Sequence, residues 1–515
     1  MISHNLKFIS FLLIALIIGS GMISGFTDKE IDNRLHPDDD NYIKELIQKS
    51  RNVSDQAHSI FETTDGGYIS TGITGYNEGC IWLIKTDCNG NKVWDKTFGG
   101  SGSDEGYSVI ETSDQGFVIT GKTESFGHGE NGDIWLIKTD DNGNKIWDKT
   151  FGGDELDGGY SVIETSDQGF VITGLTSISG PYTWDIFLMK TDSDGNKLWN
   201  KTFGGNDLEI GFSVIETSDN GFVISGTTGS FGDGGNGDVW LIKTDSEGRK
   251  IWDKTFGGSG YDEGYSVIET SDHGFMVAGK TGSFGEGYFD IWLIKTDSEG
   301  NKIWDKTFGG SDRDEGYSVK ETYDRGYIVT GLTRSFGAGD IGTSDVWLIK
   351  TNREGIIQWT NTFGGNKYDA GYSVIETRDQ DLVISGYKDK ESEDTDVWLI
   401  KTDKDGTIIW DRLFNHEIKL PVSFNSGIGL CFSIENVKDE MIQNVSWNLE
   451  VIESNGIVLF KRYTNGTIEQ ILPDENITTR SFLFGFGSIL CTIELDWGTY
   501  QVNTFLLGPF CIIHN

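Results

Sequence analysis

A cassette of about 52 residues recurs seven times, and this recurrence restricts the possible folds more than any other feature of the 515-residue chain. An Ile-Trp-Leu-Ile-Lys-Thr element places its aromatic residue at Trp82, Trp135, Phe187, Trp240, Trp292, Trp347 and Trp398, with successive spacings of 53, 52, 53, 52, 55 and 51. A second mark, a Trp followed by Thr-Phe or Leu-Phe and usually Gly-Gly, falls at Trp94, Trp147, Trp199, Trp252, Trp304, Trp359 and Trp410. A unit of this size cannot bury its apolar face alone. It must stack on its copies, in a ring or in an open array.

The unit over residues 106–153 reads as four strands. They are Tyr107-Ser-Val-Ile-Glu-Thr112, Phe117-Val-Ile-Thr120, Asp133-Ile-Trp-Leu-Ile-Lys-Thr139 and Lys145-Ile-Trp-Asp-Lys-Thr-Phe151, separated by Asp, Asn and Gly turns. Helical periodicity is absent. The third strand is apolar at four successive positions, Ile134 to Ile137, so both of its faces are covered. The fourth alternates charge with apolar residues, which blunts an exposed sheet edge. The third strand is therefore internal and the fourth outermost. The fold class that follows is all-β: a seven-bladed β-propeller of four-stranded antiparallel blades over residues 54–414. The cassettes hold 13 of the 16 Trp. Each buried Trp contributes at most about 5 kcal/mol before entropy is subtracted, so these rings read as core rather than as ligand platforms.

The units resemble the repeats of secreted seven-bladed β-propellers of bacteria and archaea (the SBBP-type repeat) and, more distantly, NHL and PQQ-type repeats. The resemblance rests on Asp104-Glu-Gly-Tyr-Ser-Val109, Gly116-Phe-Val-Ile-Thr-Gly121, Asp133-Ile-Trp-Leu-Ile-Lys138 and Trp147-Asp-Lys-Thr-Phe-Gly-Gly153, and it covers about residues 54–414. It implies a fold far more strongly than a function. It implies no quinone cofactor, because no distinct cofactor-binding set is visible, and none is expected. After Phe414 the rhythm stops. Residues 415–515 carry short strand signals at a spacing that suggests an Ig-like β-sandwich. Through Asn444-Val-Ser-Trp447, Phe484-Gly-Phe-Gly487 and Leu507-Gly-Pro-Phe510 this stretch is similar to C-terminal β-sandwich modules of archaeal surface proteins.

At the other end, Lys7, the apolar run Phe8 to Ile18 and the small residues Gly19, Ser20 and Gly21 fit a signal peptide over residues 1–26, with an uncleaved N-terminal anchor as the rival reading. Residues 27–53 read as a linker, with Tyr42 to Lys49 a candidate closing strand. The expected location is extracellular or at the cell surface. Five Asn-X-Ser/Thr sites, Asn52, Asn200, Asn444, Asn465 and Asn476, are glycosylation candidates in keeping with export. Five cysteines lack zinc-ligand spacing. Cys80 and Cys88 bracket one strand and cannot bond to each other, while Cys431 and Cys491 read as facing opposite sides of their domain. With 80 acidic against 42 basic side chains the net charge is −38, and no basic cluster marks a nucleic-acid surface.

Antiparallel strands place the second-to-third loops and the inter-blade loops at one end of the ring, and uniform tight turns at the other. The first set varies, so that end is the expected working face. Inter-blade loops there repeat acids, including Asp104, Glu105, Asp262, Glu263, Asp314 and Glu315. Such carboxylates can hold Ca²⁺ or attract a cationic partner; equally, they can be acids that cap turns and recur because the blade recurs. Tyr182 and Trp184, beside Pro181, and Tyr288 with Phe289 are peculiar to single loops and suit contact with a sugar or a partner's pocket. The Phe of each Ser-Phe-Gly (Phe126, Phe231, Phe284, Phe336) reads as a loop anchor. Seven His are scattered, and no nucleophile elbow, His-Glu-x-x-His or phosphate-cradling loop occurs. Two functions follow: a non-catalytic protein that binds or adheres to a protein or glycan, or an extracellular carbohydrate-active or other hydrolytic enzyme working through paired carboxylates.

Overall fold

The computed structural model describes residues 55–415, apart from the loop segments 76–78, 129–130, 178–183, 233–236, 339–341 and 390–394, together with the backbone of ten strands between Val422 and Ile513. Over 55–415, 28 strands form seven four-stranded antiparallel sheets, each built from consecutive strands in the order first, second, third, fourth. The first blade comprises Gln56–Glu62, Tyr68–Thr74, Cys80–Thr86 and Lys92–Phe98, and the seventh ends with Ile408–Phe414. The apolar third strands are buried along their length and the charged fourth strands lie at the rim, as their residue patterns require.

Each interface between neighbouring blades holds one apolar cluster. Between the first and second blades, Ile81 and Leu83 meet Val109, Ile119 and Trp135. The third-strand Trp faces the preceding blade, while the fourth-strand Trp packs on the following one, as Trp147 does on Phe170 with ring centroids 6.1 Å apart. Trp135 also donates Nε1–H to Asp148 Oδ2 at 3.0 Å, and the same bond recurs from Trp82, Trp240, Trp292 and Trp398. Where Phe187 replaces Trp the position equivalent to Asp148 is Asn200, and in the sixth blade, which keeps Trp347, it is Thr360, so this bond belongs to five blades.

Two polar ties repeat with the blades. A buried lysine on each third strand reaches an Asp beside the first turn, as in Lys138–Asp114 at 2.6 Å and Lys295–Asp272 at 2.9 Å. The last Glu of each first strand caps the turn of the preceding blade: Glu164 accepts from both the Ser113 N–H and its hydroxyl, each at 2.8 Å. The ring closes by these same means. Ala57, Ile60, Tyr68 and Trp82 of the first blade pack with Val383, Val397, Leu399 and Phe414 of the seventh. Arg378 N–H donates to Glu62, and Asp55 N–H to the Thr395 carbonyl at 2.9 Å. All four strands of both closing blades are contiguous in sequence; the candidate closing segment Tyr42 to Lys49 lies outside the described residues.

Beyond the ring, backbone strands between Val422 and Ile513 form a three-stranded and a seven-stranded antiparallel sheet. Cys431 lies on Leu430–Glu435 of the smaller sheet and Cys491 on Phe484–Leu495 of the larger. Asn444, Asn465 and Asn476 all fall on strands. The signal segment, the linker and Asn52 lie outside the described residues.

Candidate functional site

The first strands surround the axis. In each of them a β-bulge inserts one extra residue, and the extra residue of one blade meets that of the next. The register slips between Gly106 and Ser108, for example, leaving Tyr107 unpaired in the ladder. Gly106 is required beside it, because a Cβ there would come within 2.6 Å of Thr71 Oγ1 in the preceding blade. The seven bulge residues are His58, Tyr107, Tyr160, Phe212, Tyr265, Tyr317 and Tyr372. Their rings touch in sequence, with centroids 5.5, 4.8, 5.9, 5.0, 5.3 and 5.2 Å apart, and Tyr372 returns to His58 at 5.3 Å. A closed ring at these spacings puts opposite centroids about 12 Å apart. Burial pushes the phenols up, Tyr160 to about 12, so they are neutral hydrogen-bond donors. The recurring Gly-Tyr-Ser signalled this ring in the sequence; sequence reasoning used it only as a mark of the fold.

Just above the ring, toward the variable-loop end, the blades stop being alike. The position two residues before each bulge residue is Gln56, Glu105, Gly158, Ile210, Glu263, Glu315 and Ala370 in turn. Opposite it on the second strand stand Ile73, Lys122, Leu175, Thr227, Lys280, Leu332 and Tyr387. Charge therefore gathers on the fifth and sixth blades. Lys280 Nζ lies 3.3 Å from Glu263 and 3.5 Å from Glu315, and Arg313 Nε donates to Glu315 at 2.6 Å. Tyr265 and Tyr317 donate their hydroxyls to Glu263 and Glu315 at 2.5 and 2.6 Å. Burial raises the Glu315 carboxyl, but Arg313, Lys280 and Tyr317 outweigh it and hold the group below the usual carboxylate range. Nε2 of His58 on the first blade stands 3.6 Å from Glu105 of the second, which accepts from Tyr107 at 2.7 Å. The third and fourth blades carry Leu175, which is buried, and Ile210 at this level. Charge therefore lies on the second, fifth and sixth blades, with an apolar stretch between them on the third and fourth.

The paired acids of the sequence separate into two environments. Asp104, Asp262 and Asp314 are buried and accept from a Thr and a Ser hydroxyl at the end of the second strand and from an inter-blade glycine N–H: for Asp314 these are Thr333, Ser335 at 2.6 Å and Gly310 at 2.9 Å. Their oxygens are spent on holding loops. Glu105, Glu263 and Glu315 line the mouth instead. Each buried Asp also faces a second acid that begins the preceding blade's third strand. A Cβ at Gly309 would overlap carboxylate oxygens of both Asp290 and Asp314, and Gly152 sits likewise between Asp133 and Asp157. At the first interface Cys80 takes the place of one acid. Among the described residues no group of three or more His, Cys, Asp or Glu is arranged to hold a metal ion.

Phe289 lies beneath Lys280, its centroid 4.8 Å from Nζ, and carries Tyr288 edge-on at 4.7 Å; Tyr288 is 70% exposed. This pair borders the charged arc of the mouth. Trp184 begins the third strand Trp184–Thr191 of the third blade, half-buried, and Tyr182 lies outside the described residues. The Ser-Phe-Gly phenylalanines lean on the third-strand Trp of their own blades, as Phe126 does on Trp135 at 5.0 Å. Asn200 is exposed on a rim strand.

No protein-family profile and no curated protein matches the chain. Among solved structures it is similar to Sqt1 from Chaetomium thermophilum, at 9% identity over 75% of this chain and 95% of that one, with a TM-score of 0.42. It is also similar to puromycin hydrolase (10% identity, 76% of this chain and 60% of that chain, TM-score 0.40) and to prolyl oligopeptidase B from Galerina marginata (10%, 79% and 60%, TM-score 0.41). The chain spans 60% of the length of each of these two proteins.

Proposed function

We propose that this chain is an exported, non-catalytic binding protein that engages a protein or glycan at the cell surface through the variable-loop end of its propeller, centred on the axial mouth. One observation carries the reading. Seven blades with nearly the same core and turn residues differ from one another at the positions that surround the mouth, and a rigid frame with a varied rim is how binding sites are built on repeats. The aromatic ring below supplies an apolar seat, Arg313 and Lys280 supply donors, and the Tyr288–Phe289 pair extends the contact outward.

Export rests on the signal-like N-terminus, and the C-terminal strands serve in this reading as an Ig-like spacer or attachment module that carries Asn444, Asn465 and Asn476 as glycan acceptors. Hydrolysis by paired carboxylates needs one carboxyl that keeps its proton. At the mouth Glu315 is held below the usual carboxylate range and shares Lys280 with Glu263, which suits binding; the carboxyls raised to about 6, Asp290 and Asp369, are buried in the loop frame. The test is a glycan array and a surface-protein capture with the full chain, with and without EDTA. Arg313→Ala and Tyr288→Ala should each weaken the captured interaction at least fivefold. Undiminished binding by both variants would remove the mouth from the account, and loss of binding in EDTA would return Ca²⁺ to it.

A further inference from the structure

At the end carrying the tight turns, where the blades were expected to be uniform, the sixth blade departs from the others. Lys320 stands where the first strands elsewhere carry Phe61, Ile110, Ile163, Ile215, Ile268 and Ile375. In the next turn Tyr323 replaces the serine of four sister blades, and Arg325 replaces a neutral residue or His273. Arg353 enters the neighbouring turn of the same blade. Four departures in one blade, three of them cationic in a chain of net charge −38, converge on one part of the surface.

They also border a continuous track. A cavity of about 550 Å³ is lined by Trp304, Arg325 and Arg353 among others. It shares Glu321 and Arg325 with a second, of about 450 Å³, lined by Lys320, Tyr323 and Ile375. That one shares Thr322 and Glu376 with a third, of about 360 Å³, which reaches Trp359. The acids along the middle of the track are engaged in the fold: Glu321 accepts from Ser271 N–H and hydroxyl at 2.7 and 2.6 Å, and Glu376 from Tyr323 N–H at 2.8 Å. Lys295, Lys350 and Lys404 along the track are paired with Asp272, Asp324 and Asp405, whereas the three cations that set this blade apart are less committed. Lys320 makes no hydrogen bond or ion pair among the described residues, Arg325 lies 3.9 Å from Glu321, and Arg353 lies 3.8 Å from Glu354.

We propose that this track is a second ligand site, at the opposite end of the ring from Glu263 and Glu315, and that it takes an acidic oligosaccharide, with carboxylates on Lys320, Arg325 and Arg353 and a sugar ring against Tyr323. An extended polypeptide fits less well. Peptides commonly bind by pairing their backbone with a free strand edge, and here the turn backbone is closed on itself: Thr322 N–H donates to Gly326 at 2.9 Å and Arg325 N–H to Thr322 at 2.8 Å. Recognition is left to side chains, and Tyr323, 64% exposed, offers an open ring face. Lys320 is exposed near the end of its strand, so its ammonium is open to a carboxylate partner.

The sister blades supply the test variants. Lys320→Ile and Tyr323→Ser restore residues that the same frame already accommodates, so folding is retained and is checked by an unchanged melting temperature. The full chain is titrated calorimetrically with tetragalacturonic acid, with the neutral tetrasaccharide of galactose and with a tetraglutamate peptide. Binding is expected for the uronate alone, weakened at least fivefold by each variant and unchanged in Arg313→Ala at the other end. No uronate binding, equal binding of the peptide or the neutral sugar, or undiminished binding by Lys320→Ile would each overturn the proposal.

Discussion

Asp290→Asn should stabilise this protein at alkaline pH and do much less at mildly acidic pH. Asp290 Oδ2 accepts from Glu286 N–H at 2.6 Å, while Oδ1 is buried with no partner and faces Asp314, whose own oxygens are already saturated by hydroxyls and an amide. Burial, only partly offset by the Glu286 amide, and then the charge of Asp314 raise the Asp290 carboxyl from 3.8 to about 6. The folded value lies above the unfolded one, so the protonated carboxyl favours the fold at low pH and that contribution is lost as pH rises through about 6. A difference of this size corresponds to about 3 kcal/mol at pH 8, and solvent reaching the loop screens it to about 1–2 kcal/mol. Asparagine keeps an acceptor for Glu286 and sets no charge opposite Asp314 at any pH. Thermal unfolding of the full chain should show the variant melting a few degrees higher at pH 8, with no more than about a third of that gain at pH 4.5. A lower melting temperature at pH 8, or the same gain at both values, would refute the reasoning that buried Asp290 keeps its proton.

Acid should undo a different set of contacts. Burial raises Asp65, Asp167, Asp219, Asp272 and Asp324, but their hydroxyl and lysine partners outweigh it and hold each at about 2. Their stabilisation, present above the unfolded value near 3.8, is lost as pH falls through about 2, so near-ultraviolet circular dichroism should show the ring loosening between about pH 4 and pH 2. Trp292→Phe should cost about 1–2 kcal/mol in a urea titration, because the ring is replaced by one that Phe187 shows the frame accepts while the bond to Asp305 at 3.1 Å is lost. Gln115, at φ 71°, occupies the left-handed region that Gly66 occupies in the first blade, so Gln115→Gly should raise stability by about 0.5–1 kcal/mol in the same assay.

The count and order of strands were legible in the sequence because both follow from residue pattern alone. Four successive apolar residues at Ile134 to Ile137 demand two covered faces, and the charges of Lys145 and Asp148 demand an edge. The site was legible only in part. Asp104 and Glu105 are adjacent in sequence and similar in charge, yet strand alternation sends one into a loop anchor and the other to the axial mouth. The aromatic ring escaped notice because its seven members are 49 to 55 residues apart and differ in type, His58 and Phe212 among tyrosines. Only the bulge reveals that they share a position. The tight-turn end looked uniform because most of its turns are; the departure of Lys320, Tyr323 and Arg325 becomes visible when the sixth blade is set beside its sisters.

The placement of recognition at the axial mouth is open to direct measurement by hydrogen–deuterium exchange on the full chain, bound to whichever glycan or surface protein the array and capture identify. Protection is expected where the fifth and sixth blades enter the mouth, over residues 261–265 and 313–317, and in the loop that carries Tyr288. Protection confined to the rim strands, such as Lys145–Phe151 and Lys250–Phe256, with none at the mouth, would contradict it.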